Sequence, residues 1–401
     1  MQLRKVMELP LKGLFVHFEG LTNSVIDAQV HGLVNMLRSA DIIDFDILAF
    51  VASADQYQQS LQLQREAEEA SQSRITIRRA VRPAVPFSPL MNARRVAAAL
   101  EEVDIDYHII HARTDYSACV CSLLPKKLKR WKLVWGCRGD GIAERYPENR
   151  HYGLFRSPLK ALVSRILRHR RSIAARGCDG AIFVSNELRS IATAGLDVFG
   201  MIIPSTASLK EFYFDPALRA QSRSRLRFSD DDIVLIYSGS MATYQLFPQV
   251  VEFFRYLRER HPTLKLLVLT RETKTAEIWL RDLDTDSFHL LSAPHREVNL
   301  YLNAADYAVL LREPIQLNAV ASPTKFAEYC LTGLPVIMSP SVVDSYAYAQ
   351  EFGNLCSYRG AQTELTKGNA RTEVMKRARE LLSREVVIEC YRELYTAVMQ
   401  R

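Results

Sequence analysis

The chain has 401 residues, 48% of them apolar and 24% charged, enough to bury the cores of two ordinary domains, which excludes a disordered or low-complexity chain. Its net charge of +7 is concentrated: residues 126–176 hold 15 Lys or Arg against Asp140, Glu144 and Glu148, a local balance of +12, so an anionic partner is expected there. No run reaches the roughly 20 apolar residues of a membrane span; Glu8, Pro10 and Lys12 interrupt a signal-peptide core, and seven cysteines without a CxxC pair argue against a zinc site, so a cytoplasmic protein with reduced thiols is expected.

Along the chain, strand-like and helix-like segments alternate. Residues 11–18 read as a first strand, 23–39 as an amphipathic helix and 45–52 as a second strand. A polar helix follows over 56–73, then a strand over 74–79, a Pro-rich loop over 83–89, a helix over 92–103 and a strand over 107–111. Residues 132–136 and 180–185 are further short strands. From Ser157 and Pro158 to Arg176 the spacing predicts a helix with two faces. Leu159, Leu162, Val163, Ile166, Leu167 and Ile173 form its apolar stripe, and Lys160, Arg165, Arg168, Arg170, Arg171 and Arg176 carry charge. The stripe fits a membrane-surface helix and a helix docked on its own sheet equally well; docking is taken for the stripe, and attraction to a membrane or anionic acceptor for the charge.

Residues 205–229 are polar and aperiodic, as an interdomain linker would be. The rhythm then restarts: strand 231–237 ending in Ser238-Gly239-Ser240, helix 246–260, strand 264–270, helix 274–283 and strand 288–292. This βαβ alternation predicts parallel sheets with helices on both faces. Asp282, Asp284 and Asp286 share a helix-to-strand connection without calcium-loop spacing, so a polar turn is expected and no metal site.

The densest signals lie between Tyr301 and Pro340. An apolar run from Ala305 to Leu311 leads through Arg312-Glu313-Pro314 to Ser322-Pro323-Thr324-Lys325-Phe326-Ala327-Glu328-Tyr329, and Gly333 and Pro335 close the segment before a buried strand. Ser322 is expected to cap the helix and Pro323 to open it. The helix start offers free N–H groups, a positive dipole end and Lys325, which together suit a diphosphate; Glu328, one turn further in, suits sugar hydroxyls.

The stretch from Ser322 to Tyr329 resembles the donor segment of retaining GT-B glycosyltransferases, in the large family that includes bacterial lipopolysaccharide and capsule enzymes. Cys178-Asp179-Gly180-Ala181-Ile182-Phe183-Val184-Ser185 resembles the strand that ends the family's first domain, and Ser238-Gly239-Ser240 stands at its Gly-rich turn. Two departures are visible. Many members carry a second Glu eight positions before the first, where this chain has Val320; and Met241-Ala242-Thr243-Tyr244 lacks the Arg and Lys that usually follow the turn.

The resemblance implies an α/β chain of two doubly wound Rossmann-like domains facing a cleft: an acceptor domain over 1–204, a donor domain over 205–383 and a helix over 384–401 returning to the first domain. It implies a donor site from Gly239, Ser240, Arg312, Glu313, Ser322, Thr324, Lys325 and Glu328, with Arg312 and Lys325 neutralising phosphate. Strand-end loops would supply the acceptor side: Asp140 or Glu144 to orient a hydroxyl, His111 as a further catalytic residue or a donor ligand, and Arg113 and Arg138 beside them. Alternatively, these charges pair with one another at the strand ends. The implied reaction is retaining transfer by front-face displacement from a nucleotide-diphosphate sugar to a saccharide or lipid-linked acceptor in surface polysaccharide synthesis. No metal, no cofactor beyond the donor and no nucleic acid are expected, and an anionic membrane surface is a further expected partner. The altered turn and the missing Glu also fit a non-catalytic protein of this fold that binds a glycan or a protein.

Overall fold

The structure, a computed structural model, describes residues 10–22, 26–103, 105–146, 157–358, 365 and 371–401. It divides into two compact units. One takes the described residues within Met1–Tyr146 and Gly153–Ile203 together with Ile388–Arg401; the other takes those within Pro204–Val387.

The first unit is built on a seven-stranded sheet with β1 Leu11–His17, β2 Ile43–Val51, β3 Ile75–Arg79, β4 Ile109–Arg113, β5 Lys132–Cys137, β6 Gly180–Phe183 and β7 Gly200–Ile202. The strand order is β3-β2-β1-β4-β5-β6-β7, every pair parallel. The central strands β1 and β4 are buried almost end to end, as strands covered on both faces must be. The second unit has β8 Ile233–Ser238, β9 Leu264–Leu269, β10 Phe288–Leu291, β11 Tyr307–Leu310, β12 Val336–Met338 and β13 Leu355–Ser357. Its order is β10-β9-β8-β11-β12-β13, again all parallel, with an apolar layer on each face. Both sheets are therefore doubly wound, as the βαβ alternation predicts. The winding reverses between β1 and β4 and between β8 and β11, and crevices open beyond the carboxyl ends of strands at such reversals.

Several elements depart from the sequence expectations. Of the expected helix over 23–39, residues 23–25 lie outside the described residues; Asp27–His31 forms a π-helical turn and Gly32–Ser39 an α-helix. The helix expected from Asn92 begins at Ser88, with Pro89 in its first turn, and Phe87 enters it at φ 58°. Asn92 instead clamps the preceding loop, its amide accepting from the Val81 N–H and donating to the Val81 carbonyl.

The stretch 205–229 is not a linker. Pro216–Arg225 is a helix within the second unit, capped by the Asp215 carboxylate. Arg219 and Arg223 dock it by ion pairs to Asp306 and bonds to the Ala304 carbonyl. Because its docking groups are arginines, the helix carries no apolar period to read.

The Pro158–Gly177 helix docks, but not by its apolar stripe. Its buried positions are Ser164, Arg171, Ala174 and Ala175, while Leu159, Leu162 and Ile166 are exposed. Small residues allow close approach, and Arg171 is held by a buried ion pair. At the other end of the chain, Arg384–Gln400 forms a helix whose Tyr391, Leu394, Tyr395 and Val398 are buried in the first unit.

Candidate functional site

In the second unit the expected donor residues gather at the β8/β11 reversal. Arg312 follows β11 and is 8% exposed. Its backbone N–H donates to Ser339 Oγ at 2.9 Å, its guanidinium lies 5.9 Å from the Tyr244 ring, and Nη1 is buried with no hydrogen-bond partner among the described residues. Thr324–Leu331 forms the short helix beyond, and Lys325 sits in its first turn. Desolvation, then the Arg312 charge, pushes the Lys325 ammonium down to about 8, while Glu328 opposes them. Burial likewise lowers Arg312. Neither cation has an ion pair among the described residues. Two desolvated positive charges close enough to depress Lys325, neither of them ion-paired among the described residues, can hold an anion.

Glu328 is 5% exposed and receives a hydrogen-bonded ion pair from His295 Nε2 at 3.2 Å. That bond, partly offset by burial, raises the His295 imidazole. Sequence reasoning missed His295. Its signal was its place four residues past β10, on the strand-end side where ligands bind. Helix capping also differs from expectation: Pro323 takes the cap position, and Ser322 Oγ accepts from the Ser205 N–H at 2.8 Å. The N–H groups of Thr324 and Lys325 have no hydrogen-bond partner among the described residues, leaving them open to an anion.

The Gly-rich turn is less open. Gly239 donates to the Leu269 carbonyl, Ser240 Oγ accepts from Gln245, and the Met241 N–H is taken by Glu272. A Cβ on Gly239 would lie 2.6 Å from the Tyr237 hydroxyl and 2.8 Å from Gln245 Oε1, so internal packing demands glycine here. Glu313 sits beside this turn, its N–H donating to the Tyr244 carbonyl. Val320, where the resemblance would place a second Glu, is buried. Asp282, Asp284 and Asp286 pair with Arg255, Arg258 and Lys265, so this acidic turn is a surface ion-pair cluster.

In the first unit the expected residues divide. Asp140 is wholly buried; its Oδ1 caps the short Gly141–Arg145 helix through the Ile142 N–H and accepts from Arg171 Nη2 at 2.5 Å. Arg171 Nε also pairs with Asp115 at 2.7 Å. Asp115–Arg171–Asp140 is a buried charge network locking the Pro158–Gly177 helix to the ends of β4 and β5. Here charges pair with one another at strand ends. His111 is in the core: its ring stacks on Phe15 at 4.6 Å, Nδ1 meets the Tyr395 hydroxyl at 2.8 Å, and burial pushes it down to about 3. A proton relay near neutral pH does not suit that environment.

Three other groups stand together beyond β1, β4 and β5. Arg113 Nε donates to Glu19 Oε2 at 2.6 Å. Arg138 Nε is buried without a partner among the described residues, and burial, then nearby charges including Arg113, lowers this guanidinium. Glu144 lies against Gly139, its carboxyl raised by burial and then by Asp115, Glu19 and Asp140. A carboxyl held above its usual range, with Arg113 close by, can bind and orient a polar substrate hydroxyl. Glu19 and His17 were missed because they lie just past and at the end of β1 in a run without a motif; His17 is fully buried with neither ring nitrogen hydrogen-bonded among the described residues, and burial, then Arg113 and His31, pushes it down to about 3.

Neither a protein-family model nor a curated protein sequence matches the chain. Solved structures do. HepE from Anabaena, solved in complex with UDP, superposes with a TM-score of 0.69 at 12% identity, over 96% of this chain and 100% of the other. Sucrose-phosphate synthase from Thermosynechococcus elongatus gives 0.64 at 15%, over 97% and 100%. A glycosyltransferase from Rickettsia africae gives 0.65 at 12%, over 98% and 99%. At these identities the likeness is one of fold: the chain has the two Rossmann-like domains of GT-B glycosyltransferases.

Proposed function

We propose that the protein transfers a sugar from a nucleotide-diphosphate donor, with retention, to a saccharide or lipid-linked acceptor at an anionic membrane surface, in bacterial surface polysaccharide synthesis. The observation that carries this reading is the Arg312–Lys325 pair: two desolvated cations with no ion pair among the described residues, at a sheet reversal, beside open N–H groups of a helix start. A diphosphate supplies the missing negative charge. HepE, of the same fold, has been solved with UDP and with UDP-glucose, which supports a nucleotide-sugar donor here.

In this mechanism Arg312, Lys325 and the first-turn N–H groups stabilise the charge that grows on the leaving diphosphate, the role otherwise given to a metal. Glu328 accepts from ribose hydroxyls, with His295 fixing its orientation. Retention follows from front-face displacement, in which the leaving phosphate takes the acceptor hydroxyl proton. On the acceptor side, Glu144 with Arg113 and Arg138 is the better-placed group for a hydroxyl, since Asp140 and His111 serve packing.

Thermal-shift screening of nucleoside diphosphates and their sugars tests this. One nucleotide should stabilise the wild-type chain and fail to stabilise Lys325→Met, and NMR of the product should show the donor's anomeric configuration. If no nucleotide shifts the melting temperature, or Lys325→Met responds like wild type, the donor site is misplaced.

A further inference from the structure

The exposed half of the Pro158–Gly177 helix faces a groove of about 500 Å³ that none of the chemistry above uses. That volume falls within the roughly 300–1,000 Å³ of small-molecule sites. One wall is the Pro-rich loop at Pro83, Pro86 and Phe87; the other is Val163 and Ile166 of the helix, with Leu123 at the base. Large apolar side chains are left in solvent here: Phe87, 75% exposed, and Leu90, 51%, line the groove, and Leu159, 69%, and Leu162, 55%, stand one helical turn before Val163 and Ile166.

Phe87 is doubly anomalous. A bulky residue rarely adopts φ 58°, which costs on the order of 1 kcal/mol or more, and here the strained residue presents its ring to the outside without burying it. The electrostatics are one-sided as well. Residues 80–100 and 157–177, which form both walls, contain nine Lys or Arg and no Asp or Glu. Arg171 is committed to the buried network, and Arg170 ties the walls together by donating to the Pro83 carbonyl at 2.8 Å. Arg145, at an exposed position, lines the groove as well and adds a further positive charge.

The geometry points to a lipid-docking face: the groove seats on an anionic bilayer, Phe87, Leu90, Leu159 and Leu162 enter the acyl layer, one hydrocarbon chain lies between the Pro-rich loop and the helix, and the cationic rim holds headgroup phosphates. This deepens the membrane part of the proposed function. The wholly positive rim selects the occupant: an anionic lipid surface supplies apolar depth and negative charge together.

The full chain should co-sediment with vesicles containing phosphatidylglycerol and much less with phosphatidylcholine alone. High salt should weaken binding without abolishing it, because insertion is not screened. Phe87→Asn keeps a residue tolerant of the left-handed conformation, so it should fold at least as well as wild type while losing vesicle binding. Leu159→Gln combined with Leu162→Gln should weaken high-salt binding by about tenfold or more. Nucleotide-induced stabilisation should be the same in all variants; its absence from the wild type, with vesicle binding intact, would count against the donor site alone. Failure of the wild type to bind anionic vesicles, or variants binding like wild type, would overturn the lipid face. So would a lipid-free dimer dissolved by the two Leu→Gln changes, which would assign the face to a second copy of the chain.

Discussion

If Lys325 holds a diphosphate through its charge, nucleotide affinity should be lost in alkali over a range set by this one side chain. Burial and Arg312 bring Lys325 down to about 8 in the unliganded protein. Above about pH 7 the nucleotide's phosphates are fully ionised, since the secondary phosphate pKa is about 6, so the ligand does not contribute to the change. If only protonated Lys325 binds, the apparent Kd should rise about twofold by pH 8, about tenfold by pH 9 and about a hundredfold by pH 10, relative to its neutral-pH value. The assay is calorimetric titration of the stabilising nucleotide across that range. Lys325→Arg keeps its charge throughout and should give a flat profile; Lys325→Met should bind weakly and equally at every pH. A wild-type Kd unchanged from pH 7 to pH 10, or a Met variant that keeps the slope, would refute the assignment of the anion to this pair.

Glu328→Gln should keep the fold but weaken donor binding by about 10- to 100-fold, the worth of a hydrogen bond to a charged group, read in the same titration. Transfer should survive chelators, since the second unit already sets two cations and a helix start at the candidate diphosphate site; activity lost in EDTA and restored by Mg²⁺ would contradict this. Asp140→Ala should destabilise the chain by about 3–5 kcal/mol in urea, because it breaks a buried charge network; a stable variant with impaired catalysis would return Asp140 to a chemical role. His17 and His111 have folded pKa values near 3, below the unfolded 6.5. The unfolded chain therefore binds more protons between these values, and stability should fall as pH drops below about 6.5, by up to about 1.4 kcal/mol per pH unit for each histidine. Urea midpoints measured down to about pH 5 should show a shallower fall in His17→Gln.

The parallel sheets were legible because strands buried on both faces are apolar runs: β1, β4, β8 and β11 stand out against helices that alternate. The Thr324–Leu331 helix was legible because Pro323 and the Gly333 and Pro335 stop signals bracket it within a few residues, although Ser322 does not cap it. What the chain conceals is long-range. Arg171 sits on a helix that reads as amphipathic, and only the fold shows that its partners are Asp115 and Asp140. His295 carries no local motif and acquires meaning from Glu328, 33 residues away. The Pro216–Arg225 helix is invisible to periodicity because arginines, not leucines, seat it. Asp140 was placed at the right strand end, whereas His111 lies within β4, which runs on to Arg113; one-dimensional spacing does not distinguish a side chain facing solvent from one facing the core.

The contact between His111 and Tyr395 has a consequence for how the chain is made. The two residues are 284 positions apart, and Tyr391, Leu394, Tyr395 and Val398 complete a core whose strands emerge from the ribosome far earlier. At about 2 kcal/mol for each buried side chain, these four together rival the roughly 5–15 kcal/mol net stability of a typical domain. The first unit must therefore wait, with Phe15, Phe45 and Gly180 uncovered, until the last helix is synthesised. Its strands are made first, yet its core closes only after the second unit's residues up to Val387 have been made, so it stays exposed for longer and depends the more on chaperones.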